Sequence, residues 1–173
     1  MKRCLTVFLA LLMLLPLFGC GKKDTPPKAP VNFYYPVDPK YRTEDARVIQ
    51  AELRESAGCE NSLLAFTDRY VKGPKSETLV SVFPDDCYPV SVYKREHVVT
   101  VYMSPGFSKL DGIDLTMACA CLSATLMDYT KTDTVNICVK DIKLDGQRTI
   151  TMTKDSFSLF DDRFVEETNP DEK

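Results

Sequence analysis

The sequence predicts an α+β fold: one compact domain with two helices packed on one face of a mostly antiparallel or mixed sheet. Three observations predict it. Between about residues 31 and 162, short β-branched and aromatic runs bounded by Pro, Gly and Asp outnumber the two segments of helical period. The strand-like runs are grouped between and after the helical segments instead of alternating with them one for one, which marks an α+β architecture. The stretch is also long enough for one proper core and too short for two.

Each element has its own local reason. Val31-Asn32-Phe33-Tyr34-Tyr35 is a first strand ended by Pro36. Ala46 to Leu53 fits two templates: Ala46, Ile49 and Leu53 share a helix face, while Val48 and Ile49 also suit a strand. Glu60 to Val71 is a helix with Leu63, Leu64, Thr67, Tyr70 and Val71 in one stripe, stopped at Gly73-Pro74. Leu79 to Phe83 is strand-like up to Pro84, and Asp85-Asp86 makes a turn. Tyr88 to Tyr93, with Val90 and Val92 on one side, and Val98 to Met103 form a hairpin reversed at Lys94-Arg95-Glu96, with His97 inside strand-like residues. A second helix runs from Asp111 or Gly112 to Tyr129. Its wide apolar set (Leu115, Ala118, Cys119, Leu122, Leu126) makes it the most buried one. Val135 to Val139 is a strand, Asp145-Gly146 a tight turn, and the residues from Gln147 to Asp162 offer an extra edge strand.

Upstream of the domain, the first twenty residues say where the rest works. Lys2 and Arg3 precede an apolar run from Leu5 to Leu15, and Leu17-Phe18-Gly19-Cys20 closes it before polar Gly21. Charged, apolar, then small is the order of a secretory signal, and the run falls short of the ~20 residues of a relaxed bilayer span. The closing tetrapeptide resembles a lipobox, although Phe18 is bulkier than usual. The resemblance implies a signal peptide over residues 1–19, cleavage between Gly19 and Cys20, lipid on the Cys20 sulfur and acylation (palmitate or similar) of the new amino terminus. An ordinary secretion signal and an uncleaved anchor are the alternatives. Two or three acyl chains at ~0.8 kcal/mol per buried methylene give stable anchoring. Residues 20–30 then read as a tether in which Pro26, Pro27 and Pro30 favour an extended spacer of ~3.1 Å per residue. Residues 163–173 read as a flexible acidic tail.

Composition narrows the chemistry. The chain has 25 acidic against 22 basic residues, and loss of Lys2 and Arg3 with the signal makes it more acidic. No basic stripe occurs, which argues against nucleic acid. Cys59, Cys87, Cys119, Cys121 and Cys138 form an odd set that leaves at least one thiol free, and most sit among apolar residues as small hydrophobes. Cys119-Ala120-Cys121 lacks the spacing of zinc ligands, and the lone His97 adds no second pair, so no metal and no cofactor beyond the Cys20 lipid is expected.

The order and punctuation of the elements resemble the GerMN domain, a sporulation and spore-germination module carried by bacterial lipoproteins. The matching features begin with Val31 to Pro36 and with Leu64 to Tyr70 leading into Lys72-Gly73-Pro74. They continue with Phe83-Pro84, with Val99 to Ser104 followed by Phe107, with Leu122 and Leu126, and with Val135 to Val139. They span about Val31 to Gly146. Lys94-Arg95-Glu96 replaces the glycine-containing turn usual there, and the chain runs on past the usual end. The resemblance implies a strand at Ala46 to Leu53. The core pattern of helix, two strands, helix and strand also resembles the ring-building modules of secretion-type assemblies, which implies a binding or assembly role and no catalytic motif to carry over.

The expected protein is therefore a membrane-anchored, extracytoplasmic lipoprotein with a non-enzymatic module. Its partners would be the bilayer, through acylated Cys20, and an envelope protein or the cell wall. Oligomeric state stays open. Tyr88, Tyr93, Tyr102 and Phe107 are the candidate partner surface, with cross-strand or core-edge packing as the plainer role for the same residues. A cell-wall hydrolase is disfavoured because no Gly-x-Ser-x-Gly occurs and because Asp85-Asp86 and Asp161-Asp162 read as turn and tail acids. A solute-binding lipoprotein usually needs two lobes and a longer chain.

Overall fold

A computed structural model describes residues 30–43, 47–55, 59 and 61–156 of the chain. The signal, Cys20, the tether up to Ala29, Ala46, Glu60, Asp161-Asp162 and the acidic tail lie outside the described residues, and Pro30, read as the end of the tether, opens the first strand. Strand β1 (Pro30–Pro36) pairs antiparallel with β2 (Ile49–Glu55), placing Val31, Phe33 and Tyr35 opposite Arg54, Glu52 and Gln50. Helix α1 (Leu63–Val71) follows. Ser62 caps it, accepting the Ala65 N–H at 3.1 Å. β3 (Pro89–Arg95) and β4 (Val98–Met103) form a hairpin, α2 (Gly112–Thr130) crosses over, and β5 (Thr134–Val139) pairs parallel with β4. β6 (Thr149–Thr153) closes the order β3-β4-β5-β6, antiparallel to β5. The architecture is α+β as expected, but the strands divide into a two-stranded and a four-stranded sheet.

Both helices pack on the four-stranded sheet, α1 along β3 and α2 against β5 and β6, while α2 also touches β1. Leu115, Ala118, Cys119, Leu122 and Leu126 are buried, and so are residues on the other sides of α2, including Ala120, Cys121 and Thr125. A helix apolar all round must be covered on more than one side. Aromatic rings tie β1 to α1: Phe33 stacks on Phe66 at 5.0 Å and Tyr35 on Tyr70 at 4.9 Å. The two tyrosines also lock backbones, since Tyr35 Oη donates to Tyr70 O and Tyr70 Oη donates to Tyr34 O.

β2 makes the ambiguous segment a strand from Ile49 onward, with its apolar pattern inverted. Leu53 is 65% exposed and Arg54 is buried. The guanidinium lies 5.0 Å from the Phe33 ring and 5.5 Å from the Tyr35 ring, pairs with Glu52, and donates to Gly73 O at 2.9 Å. Glu52 accepts the N–H groups of Lys75 and Ser76. A buried charge is tolerable here because every side of it finds a partner.

Three expectations need correction. Leu79 to Phe83 is not a strand: Leu79 makes one isolated bridge to Val37, and Ser81 Oγ takes the Phe83 N–H at 3.2 Å, a local bond that competes with a ladder. The hairpin reverses at Glu96-His97, since Arg95 still pairs with Val98, so His97 sits in an exposed turn. Glu96 takes φ +52° where a glycine would be at ease. Val90 does not share the core with Val92. The register shifts between Pro89 and Ser91, and Val90 is 56% exposed.

Other expectations hold. Asp145 and Gly146 take positive φ in a tight turn between Leu144 and Gln147, and the run after Gly146 supplies the edge strand β6. Gly106 allows a close approach, because a Cβ there would lie 2.6 Å from Asp86 O.

Candidate functional site

The four-stranded sheet has one face turned to the helices and one turned away from them. In β4, Val99, Val101 and Met103 are buried, and Val98, Thr100 and Tyr102 alternate with them. The register carries this alternation across the sheet. Tyr93 lies opposite Thr100, and Ser91 opposite Tyr102. Thr100 is level with Asn136 and Thr151, and Tyr102 with Cys138 and Thr149. The outward face is thus a row of hydroxyls and an amide beside a pair of phenols.

The polar groups of this face bond to one another in register. Thr151 Oγ1 donates to Asn136 Oδ1 at 2.8 Å, and Cys138 Sγ lies 3.3 Å from Thr149 Oγ1. The rings of Tyr93 and Tyr102 stack at 6.3 Å, and the Arg95 guanidinium sits 5.8 Å from the Tyr93 ring. The hydrogen bond with Tyr93, and then its charge, hold the Tyr102 phenol above its ordinary value. Tyr88 precedes β3, its N–H donating to Ser104 Oγ at 3.1 Å while its carbonyl accepts from Ser104 N at 2.8 Å.

Of the four residues singled out in the sequence, the structure brings three to the surface of this hairpin. Tyr88 is 54% and Tyr93 42% exposed, and Tyr102 is half-buried. Cross-strand packing and surface display are thus the same arrangement for Tyr93 and Tyr102. Phe107 does not belong to it: fully buried, it packs 6.3 Å from Phe83 in the core. A short 3-10 turn, Pro105–Lys109, points its ring inward. Val90, Arg95, Thr100, Asn136 and Thr151 were missed. The alternation of Val with Thr and Tyr in β4 is the signal that reveals this face, but only the register extends it to β5 and β6.

Among the described residues, no acid–base pair assembles from the remaining candidates. Asp85 and Asp86 precede β3 and His97 follows it, so seven residues of strand at ~3.3 Å each separate them. Lys109 Nζ bonds Asp86 at 2.6 Å and holds that carboxyl below its ordinary range. Among the described residues, no three His, Cys, Asp or Glu side chains cluster as a metal site would need. The five described cysteines are unpaired and buried, and burial pushes the Cys119 and Cys121 thiols up to about 12. Burial, then the charge of Asp86, does the same to Cys87. Thiols so held are poor nucleophiles. Among the described residues, no helix is long and apolar enough to cross a membrane.

No protein-family model and no curated protein matches the sequence. Solved structures do match the fold. The tandem GerMN domains of the sporulation protein GerM from Bacillus subtilis superpose with a TM-score of 0.52 at 19% identity. That match covers 76% of this chain and 47% of the other, so the chain spans about half the length of the tandem structure. The first GerMN domain of the same protein gives a TM-score of 0.50 at 13% identity, over 70% of this chain and 92% of that one. Two helices, the β3–β4 hairpin and the parallel β4–α2–β5 crossover thus form a domain with the GerMN fold.

Proposed function

We propose that this protein is a lipid-anchored, non-enzymatic GerMN-type module that binds a protein or cell-wall partner through the outward face of β3 and β4, in sporulation or germination. The observation that carries the binding surface is the stacked Tyr93–Tyr102 pair with Tyr88 and Val90 exposed beside it. Aromatic residues carry a disproportionate share of interface energy, because they bury large area at small entropic cost. The described residues of this face are threonine hydroxyls, an amide and two phenols with no paired nucleophile and base, which suits recognition better than hydrolysis. The likeness to GerM domains supports the sporulation context, and the lipobox-like Leu17-Phe18-Gly19-Cys20 supports the anchor on the extracytoplasmic side of the cell membrane.

Two experiments separate the parts of this reading. Cys20→Ala should block acylation and processing and leave a heavier precursor; a normal-sized, detergent-partitioning product from that gene would remove the anchor. The purified protein should release nothing from peptidoglycan or a generic ester. Hydrolysis that disappears in a folded His97→Ala variant would make the protein an enzyme and end the binding-module account.

A further inference from the structure

The two outer edges of the four-stranded sheet are unlike. β3 starts at Pro89, shifts register between Pro89 and Ser91, and ends in Lys94 and Arg95. Proline, a bulge and cations all discourage a further strand. β6, Thr149-Ile150-Thr151-Met152-Thr153, has none of these and pairs with β5 without a shift.

The register shows which backbone groups of β6 face outward. Lys154 N–H donates to Asp133 O at 3.1 Å, in phase with the pairs Val135–Met152 and Ile137–Ile150. Successive residues of a strand turn their backbone groups to opposite sides. Thr149, Thr151 and Thr153 therefore point theirs away from β5. Thr153 is already engaged, its N–H donating to Ser156 Oγ at 3.1 Å. Among the described residues, the remaining edge offers the N–H and C=O of Thr149 and Thr151.

We propose that this edge is a self-association surface, on which a second copy of the chain pairs through its own β6, antiparallel and two-fold symmetric. The pattern of the strand selects this occupant. With the axis at Ile150, Thr149 of each copy lies opposite Thr151 of the other, and each pair exchanges both of its hydrogen bonds, using every group the edge offers. Ile150 and Met152 pack against the core yet stay half-buried, and the second strand completes their cover. The outward threonines continue their hydroxyl row across the seam. Like charges do not meet, since Arg148 falls opposite Met152 and Lys154, paired with Asp133, lies beyond the joined segment. An axis at Thr151 would set Arg148 against Lys154 and would require the occupied Thr153, so the Ile150 register is favoured. A seam this short buries little area and makes a weak, concentration-dependent dimer. The proposal concerns the edge opposite the tyrosine pair and does not rest on the partner-binding reading.

The test is cross-linking of the purified full chain carrying Ile150→Cys, under mild oxidation across a concentration series, with the wild-type chain as background. A residue on the axis of a non-hydrogen-bonded pair has Cα atoms ~4.5 Å apart, within disulfide reach. A disulfide-linked dimer is expected, growing with concentration. Ile113→Cys, 71% exposed on α2, reports random collision and should yield little dimer. Adding Thr151→Pro removes an outward N–H while leaving the bonds to β5, and should abolish the cross-link without shifting the unfolding midpoint. No dimer from folded Ile150→Cys, equal yield from Ile113→Cys, or a dimer that survives Thr151→Pro would each overturn the proposal. Should Ile150→Cys fail to fold, sedimentation of the wild-type chain decides. Apparent mass that rises with concentration and falls in Thr151→Pro supports self-association, and monomer mass throughout overturns it.

Discussion

The two faces of the four-stranded sheet are made by the same strands and carry opposite work. Inward, Val99, Val101, Met103, Val135, Ile137 and Val139 are buried. Outward, Tyr93 stacks on Tyr102, Thr151 bonds Asn136, Thr100 lies level between Tyr93 and Asn136, and all five stay at least partly open. The alternation of a strand sends neighbours in sequence to different environments, so a residue's role depends on its parity in the register. Changes on the inner side should be read out as stability and, on the proposed function, changes on the outer side as recognition.

The strongest way to break that comparison is to disturb the core that the inner face closes, to which β2 and α2 also contribute. Arg54→Ala should cost about 3–5 kcal/mol, because it strands Glu52 inside and uncovers the Phe33 and Tyr35 rings. Leu122→Ala should cost about 2–5 kcal/mol by opening a cavity in α2. Urea unfolding at unchanged m-value measures both. A cost under about 1 kcal/mol for either would mean the core is organised differently.

Cysteine chemistry sharpens the same contrast. Cys87, Cys119 and Cys121, held at about 12 chiefly by burial, should resist alkylation at neutral pH until the protein unfolds. The sign follows from linkage. Folded thiols titrate above unfolded ones, so their contribution is whole below the unfolded value and is lost as pH rises towards about 12. Stability should therefore fall on the alkaline side, and Cys121→Ala should flatten that fall. Rapid labelling of the native protein with all five thiols would contradict the burial.

Outer-face changes should be small in stability. Tyr93→Ala should cost only about 0.2–1 kcal/mol, the worth of a cross-strand pair. Tyr93→Phe removes the phenol that raises Tyr102 and should return Tyr102 towards its ordinary value in an ultraviolet phenolate titration. An unchanged titration would show that the two phenols do not interact.

Much of this arrangement was legible in the sequence. α2 and its burial followed from Leu115, Ala118, Leu122 and Leu126, and the β4 alternation followed from Val99-Thr100-Val101-Tyr102-Met103. β2 resisted, because its buried member is a cation whose partners come from β1 and the loop after α1; pattern rules treat Arg54 as surface and Leu53 as core. Leu79 to Phe83 has strand composition but only one bridging contact, a fact that composition does not hold. Phe107 misled because an aromatic residue after Ser-Pro-Gly looks like a loop tip, whereas the 3-10 turn folds it inward. The outer face was half-readable. Its tyrosines are visible in one hairpin, while Asn136 and Thr151 join them only through pairings between distant segments.

The central claim is that the outer face recognises a partner and the inner face holds the fold. Proximity labelling from the full anchored chain tests it most directly, comparing wild type with a Tyr88→Ala, Tyr93→Ala, Tyr102→Ala triple variant of matched abundance and unfolding midpoint. The account predicts a discrete set of envelope neighbours around the wild type that is lost from the triple variant. The same set around a folded triple variant would contradict it.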